Sequence, residues 1–208
     1  MSARALYRNL AAVGLFFSAT VPASAHHLMG GRTPASFAEG ILSGLGHPVI
    51  GPDHLAFMIA VGVVVGAGGL SLAMPAVFVA SSAVGVALHV NAVGIPGAEL
   101  VVALSVVSAG ILLASGRSIP SGAWAALFAT AGLFHGYAYG ESIFGAEPTP
   151  FWAYLIGLLA VQTALSVGVA LFARQQKARL ADIGSRLAGA TVSGVGLAVL
   201  LSQLVPAA

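Results

Sequence analysis

Long apolar runs dominate the chain from residue 53 to its end. A helix needs roughly 20 predominantly apolar residues to cross a hydrocarbon core of about 30 Å. The runs that approach or exceed this length are 53–69, 71–93, 97–114, 121–139, 151–173 and 186–204. Glycines recur four apart within two of these runs, a spacing that lets helices approach closely in lipid. The pattern predicts an all-α membrane protein, a bundle of about six transmembrane helices.

A shorter helical segment precedes the first of these spans. Residues 34–46 are too few to cross a membrane, and 47–52 contains Pro48 and Pro52. Because proline removes a backbone donor and restricts the residue before it, we expect the helix to break there. The prediction is a short interfacial helix, a break, and then a first span over 53–69.

The beginning of the chain has the layout of a secretory signal peptide. Arginines precede an apolar run at 10–21, and a small-x-small cleavage site ends at Ala25. An uncleaved first membrane helix is the alternative, but the run is short for a span and Pro22 interrupts it. We therefore divide the chain into a cleaved signal peptide, 1–25, and a single transmembrane helical domain, 26–208.

Composition narrows the function classes. With 58% hydrophobic and 7% charged residues, the chain is not a soluble globule. Its net charge of +2 is too small to hold nucleic acid. The lack of cysteine excludes disulfides, thiolate metal sites and a cysteine nucleophile, so a metal ion must bind nitrogen, oxygen or thioether ligands. We expect no enzymatic activity and no prosthetic group.

The distribution of charge predicts an orientation. If the mature N-terminus lies outside, six spans place Arg117 and the basic segment 174–186 inside, whereas Glu141 and Glu147 lie outside. The positive-inside rule then agrees with the signal peptide. The sequence leaves open whether the chain forms a homo-oligomer.

In this topology all six histidines fall in the outer half of the membrane. Histidine and carboxylate are costly inside a bundle, about 2.5–3.5 kcal/mol for a central Asp, and they normally mark an ion or substrate pathway. The candidate pathway residues are His89, Glu99, His135, Tyr139 and Glu141. Other roles are open for three of them: His89 could reach the headgroup region, Glu99 could complement a helix N-terminus, and Tyr139 could be an interfacial aromatic.

The densest cluster of candidate ligands lies at the predicted break. Asp53, which follows a proline, suits a helix start and has an explanation without a ligand role. His54 has no such explanation. It shares a helix face with Met58, and the broken backbone lets His47 fold back toward it. Imidazole and thioether suit transition-metal ions. We predict a metal site formed by His47, Asp53, His54 and Met58.

These motifs resemble the HupE/UreJ family of bacterial nickel and cobalt permeases. The matching pattern is His-Pro-x-x-Gly-x-Asp-His-x-x-x-Met at 47–58, supported by Glu99 with Ser105 and by His-Gly-x-Ala-x-Gly-Glu at 135–141. One departure is Tyr139, where the family pattern often has a second histidine. The resemblance implies a multi-pass permease or channel of the bacterial inner membrane with a periplasmic N-terminus. Its cargo would be Ni(II) or, as the second choice, Co(II).

The mature N-terminus is a second predicted metal-binding element. Cleavage after Ala25 leaves His26 and His27 as the first two residues. A histidine at the second position can chelate through the terminal amine, its own amide nitrogen and its ring, and three planar nitrogens suit Cu(II) or Ni(II). The alternative is a polar tail without a ligand role.

A different function class would use the same histidines. His47, His54, His89 and His135 could hold a haem or a non-haem iron in a membrane redox protein. A Soret band in the purified protein would favour haem, whereas a colourless protein with bound nickel would favour the permease.

Overall fold

The computed structural model describes residues 32–176 and 183–205, and within them the chain forms seven α-helices and no strand. The helices are α1 (Phe37–Ile50), α2 (Pro52–Ala67), α3 (Met74–Val90), α4 (Ala98–Ala114), α5 (Ser121–Gly140), α6 (Pro148–Gln175) and α7 (Ile183–Leu204). A 3₁₀ turn, Glu141–Ile143, follows α5. The all-α prediction is confirmed for these residues, whereas the predicted signal peptide, 1–25, lies outside them.

The helices include two or three candidate membrane spans. By length and composition α6 and α7 each qualify, and α1 with α2 qualifies as one span that is bent by 78°. The 17-residue helices α3 and α4 are apolar but shorter. At a rise of 1.5 Å per residue each is roughly 26 Å long, near the lower limit for crossing the hydrocarbon core.

The helix break lies at one residue, Gly51, rather than across 47–52. α1 continues through Pro48 to Ile50, and α2 begins at Pro52. Gly51 has extended backbone (φ −71°, ψ 111°), which is what a following proline imposes on its neighbour. Pro52 itself occupies the first turn of α2, where its missing N–H costs no hydrogen bond.

Both halves of the broken helix pack against α6, with their chains running in the same sense as that of α6. Four glycines contact successive α6 carbonyls in order: Gly40 with Pro150, Gly44 with Tyr154, Gly62 with Ser166, and Gly66 with Ala170. These glycines let α1 dock directly onto α6.

Glycines also set the other close helix pairs. In α5, Gly132, Gly136 and Gly140 lie against Phe78, Ser82 and Val86 of α3, so these two helices are parallel. In α7, Gly189 lies against Ala114 and Gly196 against Val107, so α7 is antiparallel to α4. The glycine spacing seen in the sequence therefore corresponds to real close approaches of the backbones.

Candidate functional site

Three helix segments bring three histidines together inside the bundle. His47 lies in the last turn of α1, His54 in the first turn of α2 and His135 in the C-terminal part of α5, and all three are buried. The ring centroids of His47 and His54 are 5.9 Å apart, and those of His54 and His135 are 4.9 Å apart. The break thus places His47 beside His54, as the sequence predicts.

The two closest imidazoles face each other through the same ring atom. Nδ1 of His54 lies 2.8 Å from Nδ1 of His135. On the other side of the His135 ring, Nε2 lies 3.0 Å from Oγ of Ser105, and that hydroxyl donates to the Val102 carbonyl at 2.7 Å. With its single hydrogen directed at the carbonyl, the hydroxyl accepts from Nε2–H of His135, and we assign this tautomer on that basis. In the neutral ring, Nδ1 of His135 therefore carries a lone pair directed at His54.

The separation of the two Nδ1 atoms is that of a hydrogen bond, and it is also close to the separation of two neighbouring ligands of one metal ion. Two neighbouring nitrogen ligands at about 2.0–2.1 Å from an ion are themselves about 3 Å apart. The fixed tautomer of His135 adds to this, because metal-binding imidazoles commonly donate their second N–H to a neighbouring acceptor. An ion bound by both Nδ1 atoms would displace the proton that they share in the hydrogen bond.

The third histidine is positioned by hydroxyl groups. Nδ1 of His47 lies 2.7 Å from Oγ of Ser142 and 3.3 Å from Oη of Tyr154. The Tyr154 hydroxyl donates to the backbone carbonyl of Tyr139 at 2.8 Å, which ties α6 to the end of α5. The orientation of the His47 ring is therefore set by residues from elements other than its own helix.

Tyr139 packs against two of the three histidines. Its ring centroid lies 4.3 Å from that of His54 and 5.2 Å from that of His47, and the side chain is fully buried. Tyr139 is thus part of the cluster, to which it contributes an aromatic ring.

Of the two other predicted ligands, one lies at a helix start and the other in the apolar core. Asp53 is half-buried, and its Oδ1 accepts from the backbone N–H of His54 at 2.9 Å, which fits a helix start. Met58 is fully buried in the apolar core, and it is Phe57 that packs against His135, with ring centroids 4.8 Å apart. Among residues 32–176 and 183–205, no three His, Asp or Glu side chains converge closely enough to hold one ion.

The remaining predicted pathway residues line one cavity. His89, Glu99 and Glu141 surround an open cavity of about 290 Å³ between the ends of α3, α4 and α5. Tyr137 closes one side: it packs on His89, with ring centroids 4.6 Å apart, and its hydroxyl donates to the Val93 carbonyl. The structure therefore divides the candidates into a buried histidine cluster and a separate cavity, which meet at the C-terminal end of α5.

Three hydroxyl groups of the cluster were not predicted as site residues. They belong to Ser105, Ser142 and Tyr154. The sequence does distinguish Ser105, since it is a polar residue within an apolar span. It does not distinguish Tyr154, because a tyrosine near a helix end is equally typical of an interfacial anchor. The predicted N-terminal ligands His26 and His27 lie outside the described residues.

Comparison with known proteins covers almost the whole chain. The family model described as HupE / UreJ protein matches residues 13–199. Protein HupE from Rhizobium leguminosarum bv. viciae is 33% identical over 169 residues, which is 79% of this chain and 86% of that protein. No solved structure matches the chain. The matched region contains the histidine cluster and the cavity.

Proposed function

This chain belongs to the HupE/UreJ protein family, and from that premise we propose that it takes up a divalent transition-metal ion across the bacterial inner membrane, Ni(II) or, as the second choice, Co(II). The observation that carries the proposal is the buried pair of Nδ1 atoms of His54 and His135, 2.8 Å apart. Imidazole nitrogen is a preferred ligand of both ions. Neutral ligands in a protein interior can replace hydration water without trapping the ion by charge.

We propose that the chain crosses the membrane six times, with α1 and α2 forming one broken span. Alternate crossing requires α1–α2, α4 and α6 to share one direction and α3, α5 and α7 the other. Three helix pairs have the relation that this requires: α2 and α6 are parallel, α3 and α5 are parallel, and α4 and α7 are antiparallel. The positive-inside rule then places Arg117 in the cytoplasm and the histidine cluster near the periplasmic side, which fits a signal peptide cleaved after Ala25.

The cavity provides an entrance in this proposal. Glu99 and Glu141 are exposed carboxylates beside His89, so they attract a hydrated cation before it reaches the bundle interior. Glu141 is followed directly by Ser142, whose hydroxyl contacts His47. The ion then passes along the end of α5 to His54 and His135.

The geometry favours a metal-ion site over a haem site. Two axial histidines of a haem lie on opposite faces of the porphyrin, which separates their nitrogens by the thickness of the ring and its two iron bonds. The Nδ1 atoms of His54 and His135 are within hydrogen-bond distance of each other. These two residues therefore fit a shared small ion better than a macrocycle.

Nickel uptake by a strain that lacks its own nickel importers tests the proposal. His47→Ala and His54→Ala should each abolish uptake while membrane insertion is unchanged, because each removes an imidazole and leaves the apolar pattern intact. Thr163→Ala, which changes an exposed hydroxyl on α6, is the control and should transport normally. Normal uptake by either histidine variant would overturn the site assignment.

Labelling with an impermeant thiol reagent tests the topology. The native chain has no cysteine, so each introduced thiol is the sole target. A cysteine at Ala146 should react in intact cells, whereas one at Ser118 should be protected. The reverse pattern would contradict the proposed orientation.

A further inference from the structure

Three fully buried polar side chains near the centre of the bundle each have an atom without a hydrogen-bond partner. The atoms are Oη of Tyr139, Oε1 of Gln162 and Oγ of Ser166. About nine-tenths of buried polar groups in proteins are hydrogen-bonded. The presence of three such oxygens in one helix bundle therefore indicates that they bind a ligand or water molecules during function.

These oxygens lie in line with the histidine cluster. Tyr154, Gln162 and Ser166 are spaced by multiples of four along the buried face of α6, and Tyr154 contacts His47. At 1.5 Å per residue, Gln162 is about 12 Å and Ser166 about 18 Å beyond Tyr154 along the helix axis. Tyr139 connects the two regions, since its ring faces the histidines and its hydroxyl lies near the side chain of Gln162.

The unsatisfied atoms are not explained by helix packing alone. Gln162 bridges helices through Nε2, which donates to Oγ of Ser82 at 3.0 Å, yet its Oε1 accepts nothing. Thr163, one position along on the exposed face of α6, bonds back to the Leu159 carbonyl at 2.7 Å. Ser166 could use its own helix backbone in the same way and does not. All three oxygens have lone pairs that can bind a cation or accept from the water molecules around it.

We propose that Tyr139, Gln162 and Ser166 form an oxygen-lined relay, a second and weaker binding stage for the partly hydrated divalent cation after it leaves the histidine cluster. The proposal rests on the proposed function. Conduction requires sites from which the ion can leave, and neutral oxygen donors bind Ni(II) or Co(II) less tightly than imidazole does. The relay leads along α6 toward Arg174, at the end opposite the histidines.

The relay is closed by α2 in this structure. Gly62 of α2 lies against the backbone of Ser166, and Gly66 lies against that of Ala170. Because this contact is backbone to backbone, passage of an ion requires α2 to move away from α6 at this level. The extended backbone at Gly51 separates α2 from α1, so α2 can change its angle while α1 stays docked on α6.

Two measurements on the purified full chain test the relay. Binding of Ni(II) in detergent is measured by titration calorimetry, and the initial rate of Ni(II) entry is measured in proteoliposomes that contain a nickel-sensitive dye. Gln162→Leu and Ser166→Ala should keep the nickel dissociation constant within about twofold of wild type, because the histidines are intact. Each should lower the transport rate roughly tenfold, the factor expected for one lost contact to a cation. Ser166→Ala removes a single oxygen and keeps the test valid if Gln162→Leu does not fold.

Two controls separate the relay from a structural role. Ser82→Ala breaks the same interhelical hydrogen bond as Gln162→Leu. If Gln162 had only a structural role, the two variants would lose transport equally. The relay predicts a smaller loss of transport for Ser82→Ala. Thr163→Ala should leave both measurements unchanged. Unchanged transport in both relay variants, or a parallel loss of nickel binding, would overturn the relay and leave the proposed function standing. A wild-type protein that neither binds nor transports nickel would overturn both.

Discussion

Gly51 is the position at which a single methyl group should disturb the histidine cluster without removing a ligand. Its backbone (φ −71°, ψ 111°) is open to any residue, so alanine adds no backbone strain. A Cβ there would nevertheless lie 2.6 Å from Cδ2 of His54 and 3.3 Å from Oδ1 of Asp53. The perturbation therefore acts on the His54 ring.

The size of the effect follows from these distances. Carbon atoms pack at about 3.5–4.0 Å, so the His54 ring must move by about 1 Å. It is already in contact with Tyr139, and it lies 2.8 Å from His135 through Nδ1. A shift of this size breaks the Nδ1 pair, and misplaced ligand support typically weakens metal affinity 10–100-fold, so we expect about that loss. Overpacking should also lower the free energy of unfolding by about 1–3 kcal/mol.

The assay is nickel titration of purified Gly51→Ala, with helix content measured by circular dichroism. Gly94→Ala is the matched control, since this glycine also lies outside the helices and a methyl group added there would meet nothing within 4 Å. Wild-type affinity in Gly51→Ala, or an equal loss in Gly94→Ala, would refute the reasoning that the break positions His54 for metal binding.

Three further perturbations have defined outcomes. Ser105→Ala removes the acceptor that fixes the tautomer of His135, so nickel affinity should fall by about 10–100-fold with helix content unchanged; wild-type affinity would contradict the assigned tautomer. Gly136→Ala places a methyl group against the α3 backbone and should lower thermal stability by about 1–3 kcal/mol or more; an unchanged melting temperature would count against the close crossing. His27→Ala should weaken nickel uptake more than His26→Ala, and acidification should reduce the difference because the chelating amine and ring bind only when deprotonated; equal effects would remove the N-terminal chelate.

The sequence alone determined the class of the protein and the main candidates for its chemistry. Apolar runs of membrane length can only be helices, since every backbone group must be bonded within its own segment, and the all-α prediction is confirmed for the residues that the structure describes. The break between His47 and His54 could be located to within a few residues because proline chemistry is local. The match to the family model and to protein HupE confirms the family assignment as well. The sequence was sufficient for this assignment because the motif residues have a fixed spacing along the chain.

Only the tertiary structure decided which candidates meet. His135 lies beside His54 because glycine-mediated contacts pack α5 on α3 and both α1 and α2 on α6. The glycine spacing in the sequence indicates close helix contacts, but it does not indicate which helices form them. The same packing puts His89 and Glu99 in a separate cavity. Local sequence patterns indicate which helix a residue belongs to and how deep it lies in the membrane. The neighbours of its side chain depend also on the rotation of the helix, and that rotation depends on the other helices against which it packs.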